Sequence, residues 1–147
     1  MHSLMALLLT SGLALPPCEV LACVCPQPSD PRLALGASAA VFTGRVLDVK
    51  GTGGDSGAWS PDGVPYFQDS VTFAVEQSWK GSLPDTVRAA IVFTGPDCPA
   101  RFTPKERYLV YAELGEGTYV IGVCTRTARL RNAQADLRVL GQPRTRH

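Results

Sequence analysis

Apolar residues recur at every second position over several stretches of the chain. In the clearest of them, small or polar residues separate Val71, Phe73 and Val75. Alternation of this kind is typical of a β-strand that buries one face and exposes the other. The pattern predicts five strands, at residues 41–49, 66–79, 86–93, 108–112 and 118–123. In the first of these the alternation is imperfect, and Gly44 predicts a bulge or bend.

Two short helices are expected, one before the strands and one after them. Asp30 followed by Pro31 is a favourable N-cap and first-turn pair, so a helix is predicted over residues 32–39. A second helix is predicted over 132–140, with Leu137 and Leu140 on one face and Gly141 as its stop signal. Residues 142–147 are expected to form a loose tail.

The segment at residues 50–65 is rich in Gly, Ser, Asp and Pro and separates the first two strands. It is predicted to be a loop, and long loops on small domains are either mobile or functional. It contains Trp59. Two interpretations of this side chain stay open: an anchor at an interface, where aromatic residues are enriched, or local packing within the loop.

The five strands do not alternate with helices as parallel βαβ units would. The order of elements therefore predicts a mainly β domain with flanking helices, built as a five-stranded OB-fold-like β-barrel. Because the chain has 147 residues and no internal repeat, one such domain is expected.

Residues 1–22 are interpreted as a signal peptide. The apolar run at 4–15 has the length of a signal-peptide core and is too short to span a bilayer. Val20 and Ala22 form an acceptable cleavage site, although no Lys or Arg precedes the run. Cleavage after Ala22 would release a secreted chain with its domain at 23–141 and the tail at 142–147. No membrane span is expected.

The charge of this mature chain argues against one class of partner. It would carry 14 basic and 12 acidic residues, because Glu19 is the only charged residue in the leader, and its formal charge would be +2. A nucleic-acid binder would be expected to carry a strongly basic surface, so no nucleic-acid partner is predicted.

Four cysteines would remain after cleavage: Cys23, Cys25, Cys98 and Cys124. An even number in an exported chain predicts two disulfides, for which three pairings are formally possible. Cys23 and Cys25 are too close to pair comfortably with each other, so each is expected to reach down the chain and hold the N-terminal segment against the domain. The alternative is that residues 20–23 form a bacterial lipobox, in which Cys23 carries a lipid anchor.

Catalysis is not expected. The two histidines are His2, in the leader, and His147, the last residue, so neither a Ser/His/Asp nor a Cys/His set is predicted. No Cys and His residues have the spacing of zinc ligands. The Cys23-x-Cys25 pair lacks the spacing and the βαβ context of a thioredoxin-like redox motif. The sequence therefore predicts neither an enzyme nor a cofactor of its own.

Several short motifs together resemble one family. The mature chain would open with Cys23-Val24-Cys25-Pro26, followed by a short helix and by Ala-Val-Phe-Thr-Gly-Arg-Val at 40–46. Ser-Trp-Lys-Gly at 78–81, Asp97-Cys98, Lys-Glu-Arg-Tyr-Leu-Val at 105–110 and the run from Leu114 to Cys124 continue the match. Over residues 23–140 the chain resembles the netrin-like fold, and specifically the N-terminal inhibitory domain of the tissue inhibitors of metalloproteinases.

This resemblance implies a secreted, monomeric inhibitor of a zinc metalloprotease. It implies the disulfides Cys23–Cys98 and Cys25–Cys124. It also implies that the amine and carbonyl of Cys23 bind the catalytic zinc of the partner protease and that Val24 enters the pocket beside that zinc. The residues expected to contact the protease are Cys23, Val24, Cys25, Pro26, Trp59, Asp97 and Cys98.

The chain departs from the family in three respects. The third disulfide of the family is missing, there is no Cys-rich C-terminal domain, and Val24 stands where Thr or Ser is usual. The alternative function is a non-inhibitory extracellular netrin-like binding module, anchored at the cell envelope through a lipidated Cys23. Such a module is a real alternative because one fold supports many functions.

Overall fold

The computed structural model describes residues 30–51, 68–92 and 100–145. Over these residues two short helices flank six β-strands. The elements are α1 (Pro31–Ala37), β1 (Ala40–Lys50), β2 (Ser70–Lys80), β3 (Thr86–Val92), β4 (Arg107–Gly115), β5 (Thr118–Gly122), β6 (Ala128–Arg129), a 3-10 helix (Leu130–Asn132) and α2 (Gln134–Leu140). Strand β6, of only two residues, and the 3-10 helix were not expected from the sequence.

Five of the strands close into a barrel. Strand β1 pairs antiparallel with β2 on one side and with β4 on the other, and the order continues β2-β3-β5-β4. Strands β3 and β5 run parallel, and all the other pairs in the closed barrel are antiparallel. Five strands in this order form an OB-type barrel, which confirms the fold predicted from the sequence.

The pairing of strand β1 with β2 is irregular at Gly44. Its register against β2 shifts between Thr43 and Gly44, as it does at two other places along the strand. A Cβ atom at Gly44 would lie 3.1 Å from both the Ala74 carbonyl oxygen and the Phe73 Cβ. The bulge or bend predicted at Gly44 is therefore observed as a register shift, and the close approach of β2 leaves little room for a side chain there.

The barrel interior is filled by aromatic rings. Phe73 meets Phe42 and Phe102 edge to face, with ring centroids 5.6 Å apart in each case, and Phe102 lies 5.0 Å from the ring of Tyr108. Phe102 belongs to no strand, and the sequence suggests only ordinary loop packing for it. Instead it is 3% exposed and belongs to the central core.

A second apolar cluster lies between the barrel wall and the two helices. Its buried members are Ala34, Val41, Trp79, Leu109, Tyr111 and Ala133. Strand β1 consequently has both faces covered at its start, with Phe42 in the barrel and Val41 under the helices. This explains why the hydrophobic alternation of β1 is imperfect, since a strand buried on both sides needs no polar face.

Helix α1 is capped at both ends by side chains. The Asp30 carboxylate accepts a hydrogen bond from the Arg32 backbone N–H at 2.8 Å, as predicted for an N-cap. At the other end, the Lys80 ammonium donates to the carbonyl oxygens of Leu35 and Gly36, each at 2.9 Å. The helix ends at Ala37 rather than at residue 39, because the next residues begin the path into β1.

The C-terminal part of the chain differs from the sequence expectation in two ways. Helix α2 begins at Gln134 rather than at 132, and it ends before Gly141, whose φ of 69° confirms the predicted stop. The segment expected to be a loose tail is tethered at residue 144. The Arg144 N–H donates to the Ser78 carbonyl at 2.7 Å, and the Trp79 indole N–H donates to the Gly141 carbonyl at 2.9 Å. Residues 146–147 lie outside the described part of the chain.

Candidate functional site

All seven residues that the sequence assigns to a protease contact lie outside the described part of the chain. These are Cys23, Val24, Cys25, Pro26, Trp59, Asp97 and Cys98. Cys124 is described: it lies in the turn after β5 and is disulfide-bonded, with its partner outside the described residues. The pairings Cys23–Cys98 and Cys25–Cys124 therefore stay predictions.

The ends of four strands meet at one end of the barrel. The Asp69 N–H donates to the Lys50 carbonyl, and the Ile91 N–H donates to the Asp69 carbonyl, both at 2.8 Å. Val92 is then the parallel partner of Gly122. Segment 52–67, segment 93–99 and the Cys124 turn therefore all leave the barrel at this end. We call this end the loop rim, defined by Lys50, Asp69, Val92 and Gly122.

The chain returns from the two longer connections side by side. Gln68, at the end of the β1–β2 connection, is 1% exposed. Its side-chain oxygen accepts from the Phe102 N–H at 2.7 Å, and its side-chain nitrogen donates to the Phe102 carbonyl at 2.9 Å. Both connections are thus held to each other where they rejoin the barrel.

The turn that carries Cys124 is held by hydroxyl groups. The Thr125 hydroxyl lies 3.0 Å from the Gly122 carbonyl oxygen and 2.9 Å from the Thr127 hydroxyl. The Thr127 hydroxyl in turn accepts from the Tyr111 N–H at 3.0 Å. Beyond Val120, β5 no longer pairs with β4 and pairs with β3 instead. The Thr127 hydroxyl therefore accepts the Tyr111 N–H, which a neighbouring strand would otherwise do.

An ion pair joins the same turn to α2. The Arg126 guanidinium donates to both carboxylate oxygens of Asp136, from Nε at 2.9 Å and from Nη2 at 2.6 Å. The Tyr111 hydroxyl donates to the same carboxylate at 3.0 Å. Two-contact pairing between a guanidinium and a carboxylate is geometrically specific, so it fixes the orientation of the turn as well as its position.

The ion pair changes the ionisation of all three groups. Burial by itself would raise the pKa of Asp136, but the hydrogen bonds from Arg126 and Tyr111 outweigh it and hold that pKa below its ordinary value. The hydrogen bond to Asp136 raises the pKa of Arg126. Burial, followed by the hydrogen bond to Asp136, raises the pKa of the Tyr111 hydroxyl well above its usual range. At neutral pH the network therefore holds a carboxylate, a guanidinium cation and a neutral phenol.

The loop rim also contains a small open cavity of about 210 Å³ beside the Cys124 turn. Its lining residues are Ala100, Arg101, Phe102, Tyr108, Ile121, Gly122, Val123 and Thr127. A larger open groove of about 930 Å³ lies at the other end of the barrel, between the β2–β3 turn and Arg144.

Within residues 30–51, 68–92 and 100–145, no three His, Cys, Asp or Glu side chains are grouped so that they could hold a metal ion. No helix in these ranges is both long enough and apolar enough to cross a membrane.

The residues that organise the described part of the site were not found from the sequence. Asp136 had a detectable signal, because it falls three residues after Ala133 and four before Leu140 on the apolar stripe of α2. A carboxylate on a buried helix face predicts a cationic partner. Gln68 carried no comparable signal, because it lies next to a segment without periodicity.

Comparison with known proteins adds no family to this description: no family model matches the chain, and no curated protein matches it significantly.

Proposed function

We propose that this protein is a secreted inhibitor of zinc metalloendopeptidases, acting through the amine and carbonyl of Cys23 once cleavage after Ala22 has made it the first residue. A neutral amine and a carbonyl oxygen are suitable zinc ligands. A catalytic zinc keeps one coordination position for water, and occupying that position removes the nucleophile of the reaction.

One observation carries the proposal: the described strand ends at Lys50, Asp69, Val92 and Gly122 meet at the loop rim. The two connections that contain Trp59, Asp97 and Cys98 depart there, beside the disulfide-bonded Cys124. An inhibitor of this kind needs its zinc-binding residue and its flanking contacts on one surface. A disulfide from Cys124 to Cys25 would bring the N-terminal segment to that surface.

The first test is the intact mass of the protein exported from an expressing cell. We expect a chain that begins at Cys23, contains two disulfides and carries no acyl group. A diacylglyceryl group on the Cys23 sulfur would exclude the predicted Cys23–Cys98 disulfide, and an acyl group on its nitrogen would block the amine. Either mass would contradict zinc binding by Cys23 and favour the surface-anchored netrin-like module instead.

The second test adds one residue to the mature N-terminus. The mature protein is titrated against the catalytic domain of a matrix metalloproteinase cleaving a fluorogenic peptide. An Ala placed before Cys23 should abolish inhibition without changing the unfolding temperature, because it moves the free amine away from the zinc. A variant with one Ala added after His147 is the matched control and should inhibit as the unextended protein does. Equal inhibition by both extended forms would contradict zinc chelation by Cys23.

A further inference from the structure

Basic side chains face each other on the outer surface where β1 pairs with β4. Arg45 and Arg107 are direct partners across this antiparallel pair, and both are exposed. Like charges opposite each other on neighbouring strands are destabilising. The Glu76 carboxylate relieves Arg107, from which it accepts hydrogen bonds at 2.8 Å (Nε) and 2.6 Å (Nη2). Among the ion pairs of the described residues, none involves Arg45. This surface is therefore only partly neutralised.

Arg107 also lines an open cavity of about 410 Å³. The lining residues are Lys105, Glu106, Arg107, Leu130, Arg131 and Gln134. Three cations and one carboxylate give this lining a formal charge of +2. The carboxylate, Glu106, lies 3.5 Å from the Arg131 guanidinium, and both side chains are more than a third exposed. A pair so long and so exposed is weak, so Glu106 compensates little of the positive charge around it.

The third cation, Lys105, stands in an unfavourable backbone conformation. Its φ is 69°, in the left-handed region that glycine and asparagine adopt more readily than lysine. Two hydrogen bonds fix the turn: the Lys105 N–H donates to the Val46 carbonyl at 2.9 Å, and the Glu106 N–H donates to the Thr103 carbonyl at 3.2 Å. The Lys105 ammonium forms no hydrogen bond or ion pair with the described residues. Strained conformations of this kind cluster at functional positions.

We propose that this cavity binds a tetrahedral oxyanion, the phosphate or sulfate group of a small molecule, between Lys105, Arg107 and Arg131. Ammonium and guanidinium groups form short, charge-assisted hydrogen bonds to such oxygens. A doubly charged anion also balances the charge of the lining. Glu106 weakens binding, because its carboxylate competes for Arg131 and repels the anion. The proposal is independent of the proposed inhibitory function, because it requires neither cleavage after Ala22 nor a protease.

The binding experiment is an NMR titration of the isotope-labelled protein with inorganic phosphate and, separately, with sulfate at about pH 8. Sodium chloride keeps the ionic strength constant, so that general screening does not change. Backbone amide signals of residues 104–107 and 130–134 should shift along a saturating curve, with a dissociation constant of about 1 mM. The anion that binds more tightly identifies the solute as a phosphate or a sulfate ester. Shifts that grow linearly without saturation would overturn the proposal.

The site is located by removing one of its cations. R131Q should weaken binding about 5-fold or more, because the anion loses a charged donor. The matched control is R138Q, which removes the same charge from an exposed position on α2 that does not line the cavity. Equal affinities of these two variants would contradict the site.

Replacing Lys105 separates a binding role from a structural one. In K105N the ammonium is lost, but asparagine tolerates a positive φ better than lysine does. K105N should therefore bind the anion more weakly than the unsubstituted protein, while its unfolding temperature stays the same or rises. Unchanged affinity in K105N would exclude Lys105 from the site.

Replacing Glu106 should have the opposite effect on binding. E106Q removes the competing carboxylate and should tighten binding about 3-fold or more. E113Q is the matched control, because Glu113 is exposed on β4 and does not line the cavity. Since both variants change the net charge equally, an equal gain in affinity would show a general charge effect and overturn the proposal.

Discussion

Asp136 in α2 and Arg126 in the Cys124 turn form an ion pair with two hydrogen bonds, of 2.6 and 2.9 Å, and their side chains are 12% and 21% exposed. This contact links the C-terminal helix directly to the turn that carries the disulfide. Removing one partner of such a buried pair is strongly destabilising, because the other partner is then left charged and unpaired.

Replacing the carboxylate with an amide should therefore destabilise the fold. We expect D136N to lower the free energy of unfolding in urea by about 3 kcal/mol, since Arg126 loses its counter-charge at a largely buried position. The matched control is E106Q, which removes the exposed pair between Glu106 and Arg131, where the closest atoms are 3.5 Å apart. Exposed pairs contribute less than about 1 kcal/mol, so a similar loss in both variants would contradict a special role for Asp136.

The same carboxylate should give the fold an acid-sensitive contribution. The folded state lowers the pKa of Asp136, so ionised Asp136 stabilises the fold above its unfolded pKa of about 3.9, and this contribution is lost as the pH falls through the lower, folded pKa. The difference in unfolding free energy between the unsubstituted protein and D136N should be constant from about pH 8 to about pH 5 and shrink below about pH 4. Urea denaturation at a series of pH values measures it. A difference that grows in acid would reverse the assigned sign.

The hydroxyl of Tyr111 should contribute separately from the ion pair. Y111F removes the 3.0 Å hydrogen bond to Asp136 and leaves the ring in the cluster under the helices. We expect a loss of about 1 kcal/mol in the free energy of unfolding, which is typical of one buried hydrogen bond. The double variant Y111F/D136N tests the assignment, because the two losses should not add if both variants remove parts of one network. Strict additivity would show that the Tyr111 hydroxyl acts elsewhere.

Replacing Gly44 should destabilise the protein, because there is no room for a side chain at this position. A Cβ there would lie 3.1 Å from the Ala74 carbonyl oxygen, a backbone atom held in β2 that cannot move aside easily. G44A should destabilise the protein by about 1–3 kcal/mol, as overpacking does in closed cores. The control is G36A in α1, where a Cβ meets nothing within 4 Å and Ala favours the helix by up to about 1 kcal/mol. Thermal unfolding should place the two variants on opposite sides of the unsubstituted protein.

The sequence was informative wherever one local rule governed a segment. In β2, Val71, Phe73 and Val75 alternate strictly, and all three are buried, as predicted. Asp30 and Gly141 mark helix ends because capping depends on the nearest backbone groups and on local φ values. The five-strand count and the absence of βαβ alternation were enough to predict an OB-type barrel.

Local rules were not sufficient where burial came from distant segments. Phe102 has no periodic neighbours, and it is a core residue because its ring packs against Phe73 and Tyr108 on two strands of the barrel. Residue 144 was expected in a loose tail, and it is tethered because the edge of β2 at Ser78 is unoccupied by β3 and accepts its N–H.

The amino-acid sequence by itself determined the barrel class, the strand and helix positions to within a few residues, and the cysteines and N-terminal motif that suggest an inhibitor. Only the tertiary structure decided that the strand ends next to segments 52–67 and 93–99 meet beside Cys124, and that Gln68 and Asp136 secure this rim. The physical reason is that hydrophobic periodicity reports only whether one face of a segment is buried. The pairing of β3 with β5, and the contact between Gln68 and Phe102, which are 34 residues apart, depend on which segments the closed barrel brings together.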